Sequence, residues 1–406
     1  MTLADVLVLA LVVASLVAAR RVGFAPLRPG IALYAALAAL LAVIVAASIW
    51  PLPGIPWAAD LIAAARYAEY AVLAAAIPLA LRRRRDANPL FAAIVVWSGF
   101  ATLVAVLQFA GVRIFDAWTP GDRQPSFLGV HDFGALSTAA LVLALATLTT
   151  GAPLVGRKLT WIAAVAGAVG LVVSAAAAAV LGLLLATAAA LVLAWRFRTV
   201  TPRRLAGVGA IVGAVLVGTL AMRAGDIDQF TRFAGIKPKE HTTTQNVQTY
   251  SQRTLLAYFA LRMFEDHPVF GVGWEGVKEE RNYGPYLADA HRRFPDTAEQ
   301  AFPSPAHPWR VDNAYLQALA ELGLVGLAAF IAAIAAGIAI AARAALRAPP
   351  AVRQVATVAL MWQLVLLGVY TGQGLVAGIP IEAYAWIAAG LGVAAAAWWK
   401  QGESPA

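Results

Sequence analysis

Apolar residues along this chain come in long unbroken blocks rather than in strict alternation or narrow stripes. Residues 3–19, 31–50, 60–81, 90–110, 134–150, 159–174, 177–195, 205–223, 313–342, 354–371 and 377–398 are each built mainly of Ala, Leu, Val and Ile. Helices of roughly 18 or more such residues, with few charges, are long enough to cross a hydrocarbon core. The pattern predicts an all-α polytopic membrane protein of about eleven transmembrane helices. The run 159–195 is too long for one span and predicts two helices with a tight turn near Ser174. The blocks divide the chain into membrane helices over 1–223, a large polar loop over 224–312, and membrane helices over 313–406.

The polar residues between the blocks are unevenly shared. Arg20, Arg21 and Arg28, then Arg82–Arg85, Arg157 and Lys158, Arg196, Arg198, Arg203 and Arg204, Arg343, Arg347 and Arg353, and Lys400 fall in alternate connections. Together they hold more than half of the 31 Lys and Arg residues. Basic residues concentrate in cytoplasmic loops, so these connections and the C-terminus are expected inside, with the N-terminus and the large loop outside. The net charge of +9 then reads as topology and contact with membrane lipids, not as a nucleic-acid surface. With 61% hydrophobic and 13% charged residues, too little polarity is present to coat a soluble body. The absence of cysteine removes disulfides and thiolate metal sites. Residues 3–19 have no basic stretch before them and no small-residue cleavage site after, so a first membrane helix is expected rather than a cleaved signal.

Charge inside the blocks is rare. Arg66 and Glu69 lie one helical turn apart and are expected to pair on an inward face, as a brace or towards a substrate. The large loop has a helical period over 247–266, with Leu255, Tyr258 and Phe259 on one side. Pro268 stops it, and Phe270-Gly271-Val272-Gly273 reads as a tight turn. This segment is expected to lie on the membrane surface, apolar face down, and residues 281–311, which lack a clear period, as an irregular loop. No phosphate loop, zinc-protease motif or dinucleotide fingerprint occurs. His291 and His307 stand apart and His267 precedes a proline, so neither metal nor cofactor is expected.

The order of features around the loop is more specific. Arg253 stands on the loop helix, Pro268-Val269-Phe270-Gly271-Val272-Gly273 follows, and Asp312-Asn313-Ala314-Tyr315-Leu316 leads into Glu321-Leu322-Gly323-Leu324-Val325-Gly326. This order resembles the O-antigen ligase and O-antigen polymerase family of bacterial envelope enzymes. Arg123, shortly before Phe127-Leu128-Gly129, also looks like a family arginine. Three positions depart from the family pattern. Asp312 stands where the family has His before the Asn, His131-Asp132 replaces Pro-Asn, and Ser174-Ala175-Ala176 replaces Ser-Arg-Gly.

The resemblance implies a fold like the C superfamily of membrane glycosyltransferases in the bacterial cytoplasmic (inner) membrane. It implies a polyprenyl-diphosphate-linked glycan as donor, a glycan or lipid as acceptor, and neither metal nor nucleotide. Such a transfer needs cations for the departing diphosphate and a base for the acceptor hydroxyl. Arg253 and Arg123 are the first candidates for the cations, followed by Arg66, Arg262 and Arg310. Asp312 is the candidate base, with Asn313 and His307 as further substrate contacts. Asp312 also suits a helix N-cap, and Arg253 suits a lipid phosphate or loop carboxylate. The alternative reading is a polytopic transporter or lipid-linked glycan flippase; against it stands the lack of internal repeats.

Overall fold

A computed structural model describes residues 3–49, 57–226, 231, 236, 249–295, 297–306, 310–375 and 379–402. The apolar blocks form α1 (Leu3–Val22), α2 (Ile31–Ile49), α3 (Trp57–Ala71), α4 (Leu73–Ala80), α5 (Ala87–Phe109), α6 (Val130–Thr150), α7 (Arg157–Ser174), α8 (Ala177–Arg196) and α9 (Pro202–Met222). The loop contributes α10 (Thr249–Asp266) and α11 (Glu280–Arg293), and the chain continues through α12 (Ala314–Arg347), α13 (Pro350–Val369) and α14 (Ile379–Lys400). Among the described residues, 10 helical segments are long and apolar enough to cross a membrane. The 20-residue α1 lies beside them, where Ser15 Oγ donates to the Ala76 carbonyl at 3.1 Å and Arg82 Nη2 to that of Ala18 at 2.7 Å.

Small residues set the spacing of the bundle. A Cβ at Gly182 of α8 would stand 2.2 Å from the Val365 carbonyl oxygen of α13, so the two backbones touch. The block 60–81 is split at Val72. Pro78 lacks the N–H that would reach Ala74, and the freed carbonyl instead accepts from Tyr34 Oη at 3.3 Å. The expected pairing of Arg66 with Glu69 on an inward face does not form. Tyr67 and Tyr70 occupy that face, whereas Arg66 is exposed.

The large loop carries its own core. Leu255, Phe259 and Met263 of α10 pack with Tyr283 and Ala290 of α11 and with Phe302. This corrects two expectations. The apolar face of α10 is spent on the loop's interior and not laid on a membrane surface, and residues 281–311 include a helix where an irregular loop was expected. Pro285 and a run of polar residues hide the period of α11 in the sequence. Two tyrosine–carboxylate hydrogen bonds, Tyr258 to Asp289 and Tyr286 to Asp266, tie the helices reciprocally.

A backbone joint holds this loop to the bundle. Gly323 breaks α12 with φ 65° and ψ −163°, removing the bonds that Leu324 and Val325 would donate to Ala320 and Glu321. All four groups find partners in the turn after Pro268. Val272 N donates to Ala320 O at 2.9 Å and Gly273 N to Glu321 O at 3.0 Å, while Leu324 N donates to Pro268 O at 2.9 Å and Val325 N to Val269 O at 3.2 Å. Trp274, fully buried, follows the turn and sets its ring 6.0 Å from Tyr67 of α3.

The joint leaves no room for side chains. Gly271 has φ +68°, and a Cβ there would lie 2.3 Å from the Glu321 carbonyl carbon. Left-handed strain and two or more orphaned backbone groups together should cost Gly271→Ala on the order of 3 kcal/mol or more. Thermal unfolding in detergent should show a lowered midpoint and faster protease cleavage within 249–306. Gly209→Ala, where a Cβ meets nothing within 4 Å, should behave as wild type.

Candidate functional site

At the end of the bundle where the loop docks, a cleft of about 510 Å³ lies between the connection 111–129, the α7–α8 turn, the end of α9 and the start of α10. Buried glutamines shape its first wall. Gln108 Nε2 donates to the carbonyls of Ile114 and Ser126, both at 2.9 Å. Gln124 accepts from Trp118 N at 2.9 Å and donates to Thr119 O at 2.8 Å. The connection is thereby folded back on itself, and the Arg123 guanidinium lies over the Trp118 ring at 5.0 Å.

The second wall is the turn from α7 to α8. Ala175 takes a left-handed conformation (φ 48°), and Ala177 and Ala178 place the positive end of α8 on the cleft. Arg223 closes this side: its Nη1 donates to the Ala175 carbonyl at 3.1 Å, and its Nη2 pairs with Asp226 at 2.7 Å. Arg253 enters from α10 and His131 from the first turn of α6. A Cβ at Gly372 would stand 3.7 Å from Arg253 Nη1 and 3.9 Å from His131 Cε1, so this glycine leaves the space between them open.

Three guanidinium groups therefore converge. Among the described residues, Arg223 alone of the three has a carboxylate within ion-pair distance. Burial lowers the Arg123 pKa, Asp226 raises it, and the neighbouring Arg223 and Arg253 lower it again. Such a site is chemically suited to a multivalent anion, and the amide end of α8 adds to that character.

Asp312 stands beside Arg253 at the entry to α12. Although it keeps accessible surface, surrounding protein raises its carboxyl above the usual range and Arg253 opposes the rise. It does not cap α12. Asn313 does so, accepting from Tyr315 N at 3.1 Å and Leu316 N at 3.0 Å while its Nδ2 donates to Thr371 O at 3.3 Å. The carboxylate is thus free of the cap, and Asn313 fixes α12 to the glycine link that fronts the cleft.

The other predicted residues lie elsewhere. Arg262 pairs with Glu265 on the exposed side of α10, and Arg310 pairs with the buried Glu275 at 3.2 Å. Arg66 is exposed on α3, and His307 lies outside the described residues. Among the described residues no three His, Asp or Glu side chains come together as a metal site. The sequence reading missed Arg223, which ends an apolar block without any motif, and left His131 without a role. The only signal for Arg223 was the missing arginine at Ala175-Ala176, a gap that it fills from another helix.

Residues 162–331 match the family model described as O-antigen ligase. No curated protein sequence matches the chain. The matched segment contains the α7–α8 turn, Arg223, Arg253, the backbone joint and Asp312. Over these residues the multi-pass chain is similar to the O-antigen ligase family, and that similarity supports a glycan-transfer role in cell-surface polysaccharide assembly.

Proposed function

We propose that the protein transfers a glycan from a polyprenyl-diphosphate-linked donor to an acceptor hydroxyl at the outer face of the cytoplasmic membrane. The observation that carries this reading is the convergence of Arg123, Arg223 and Arg253 on one cleft. The bond that breaks joins the sugar's anomeric carbon to a phosphate oxygen, and the bond that forms joins that carbon to the acceptor oxygen. Negative charge accumulates on the leaving diphosphate, where fixed guanidinium forks act without having to reorganise. In this reading they, rather than a metal, neutralise the leaving group. Asp312, ionised, takes the acceptor proton. His131 lines the cleft and offers a hydrogen bond to a phosphate oxygen. The basic connections lie inside, which puts the cleft, the loop and Asp312 outside.

Arg223→Ala and Arg253→Ala should each lower the turnover of the reconstituted protein by about 10²- to 10³-fold, as losing one oxyanion donor does. Asp312→Asn should lower it by a comparable factor, on the order of 10²–10⁴. Full activity in all three variants would remove the assignment.

The rate should fall as pH drops through the folded pKa of Asp312, since only the carboxylate accepts a proton. Because burial raises that pKa, the acidic limb should lie above the ordinary aspartate value of about 3.9. Arg253 lowers the same pKa, so Arg253→Gln should move the limb to higher pH in its residual activity. A limb that persists in Asp312→Asn and vanishes in His131→Gln would transfer the base role to His131.

Cells lacking the protein should accumulate outward-facing lipid-linked glycan: single repeat units for a polymerase, full-length chains for a ligase. Accumulation confined to the cytoplasmic leaflet would replace the enzyme by a flippase.

A further inference from the structure

A second cavity, of about 370 Å³, opens on the loop itself, between α11 and residues 299–305. Its chemistry differs from that of the arginine cleft. Among the described residues no Lys or Arg lines it, and its polar groups include the carboxylates of Glu280 and Glu299 and the amide of Gln300, with Tyr283 beneath them. On a chain of net charge +9, a cavity without a cation is unsuited to phosphate. Its acceptors suit a ligand rich in hydrogen-bond donors.

One wall is flat. The His291 ring stacks on Phe302, with centroids 3.9 Å and planes 16° apart. Phe302 is buried beneath, while the His291 side chain keeps 42% of its surface, with Glu299 at 3.7 Å from its Nδ1. Deeper in, Tyr283 is only 1% exposed, its ring set edge-on to Phe259, and among the described residues its hydroxyl has no hydrogen-bond partner. A buried hydroxyl normally has one, and the cavity is a side from which a partner can arrive.

We infer that this cavity is a glycan-binding subsite. It takes one or two neutral pyranose units, with an apolar C–H face on the His291–Phe302 stack and hydroxyls on Glu280, Glu299 and Tyr283. A sugar ring has this mixed character, and the volume lies at the lower end of ligand sites, about 300–1,000 Å³. Leu255 and Phe259 of α10 pack in the same core as Tyr283 and Phe302. The subsite and Arg253 therefore ride on one body, and the loop grips the glycan while the cleft grips the diphosphate. That the glycan is the transferred or extended chain rests on the proposed transfer; its binding does not.

The test uses the full-length protein in lipid nanodiscs. It is titrated by calorimetry with the phosphate-free oligosaccharide that mild acid releases from the lipid-linked glycans of the producing cells. Wild type should bind. His291→Ala and Glu299→Gln should each weaken binding about tenfold, and the isosteric Tyr283→Phe about threefold. No binding by wild type, or equal binding by all three variants, overturns the subsite. So does affinity for Zn²⁺ or Ca²⁺, and not for the oligosaccharide, that His291→Ala removes. A protein that binds the oligosaccharide in this pattern but never transfers it would sink the transfer reading and leave the subsite standing.

Discussion

Everything at the loop end of this molecule hangs on the break in α12. A helix inside a membrane protein cannot leave backbone groups unpaired at low cost, because no water replaces the lost partner. Gly323 breaks the ladder, and the turn 268–273 restores it with four hydrogen bonds to the groups the break exposes. The two glycine motifs are thus halves of one joint, each explaining the backbone conformation of the other. α10, which carries Arg253, runs directly into this joint, and Asp312 stands at the head of the helix that contains it. A shift of the turn would move both groups.

The joint also lets the loop fold as a unit. Its own core releases it from lying on lipid, and the tyrosine–carboxylate pairs between α10 and α11 hold its two helices in register. The result is a loop body with two regions of different chemistry. One region delivers a guanidinium to the cleft; the other shows an aromatic stack and carboxylates without cations. On the proposed reading charge is segregated by ligand part, which suits a substrate that is anionic at one end and neutral along its length.

The bundle was legible because hydropathy over 18 or more residues is a one-dimensional property, so the blocks, and even the turn after Ser174, could be read directly. Motif order singled out Arg253, Arg123 and Asp312 as candidates, and the structure brings Arg253 and Arg123 to one cleft with Asp312 near Arg253. What escaped depended on three-dimensional partners. α11 was hidden because Pro285 and polar residues erase its period, and its buried residues are sorted by α10, distant in sequence. The inward face of α3 went to Tyr67 and Tyr70, not to Arg66, because Trp274 and Trp386 pack against Tyr67. Asn313 rather than Asp312 became the cap, a choice between adjacent residues that only backbone geometry decides.

The departures from the family pattern offset one another. An aspartate in place of a histidine adds a negative charge beside the cleft proposed to hold diphosphate, where Coulomb repulsion would weaken binding. The turn that carries an arginine in the family has only alanines here, which would make the deficit worse. Arg223 removes that deficit by reaching from the end of α9 to the Ala175 carbonyl, and Arg253 lies close enough to Asp312 to hold its pKa down against burial. In the proposed reading, what matters is the sum of charge at the cleft and its placement around the anion.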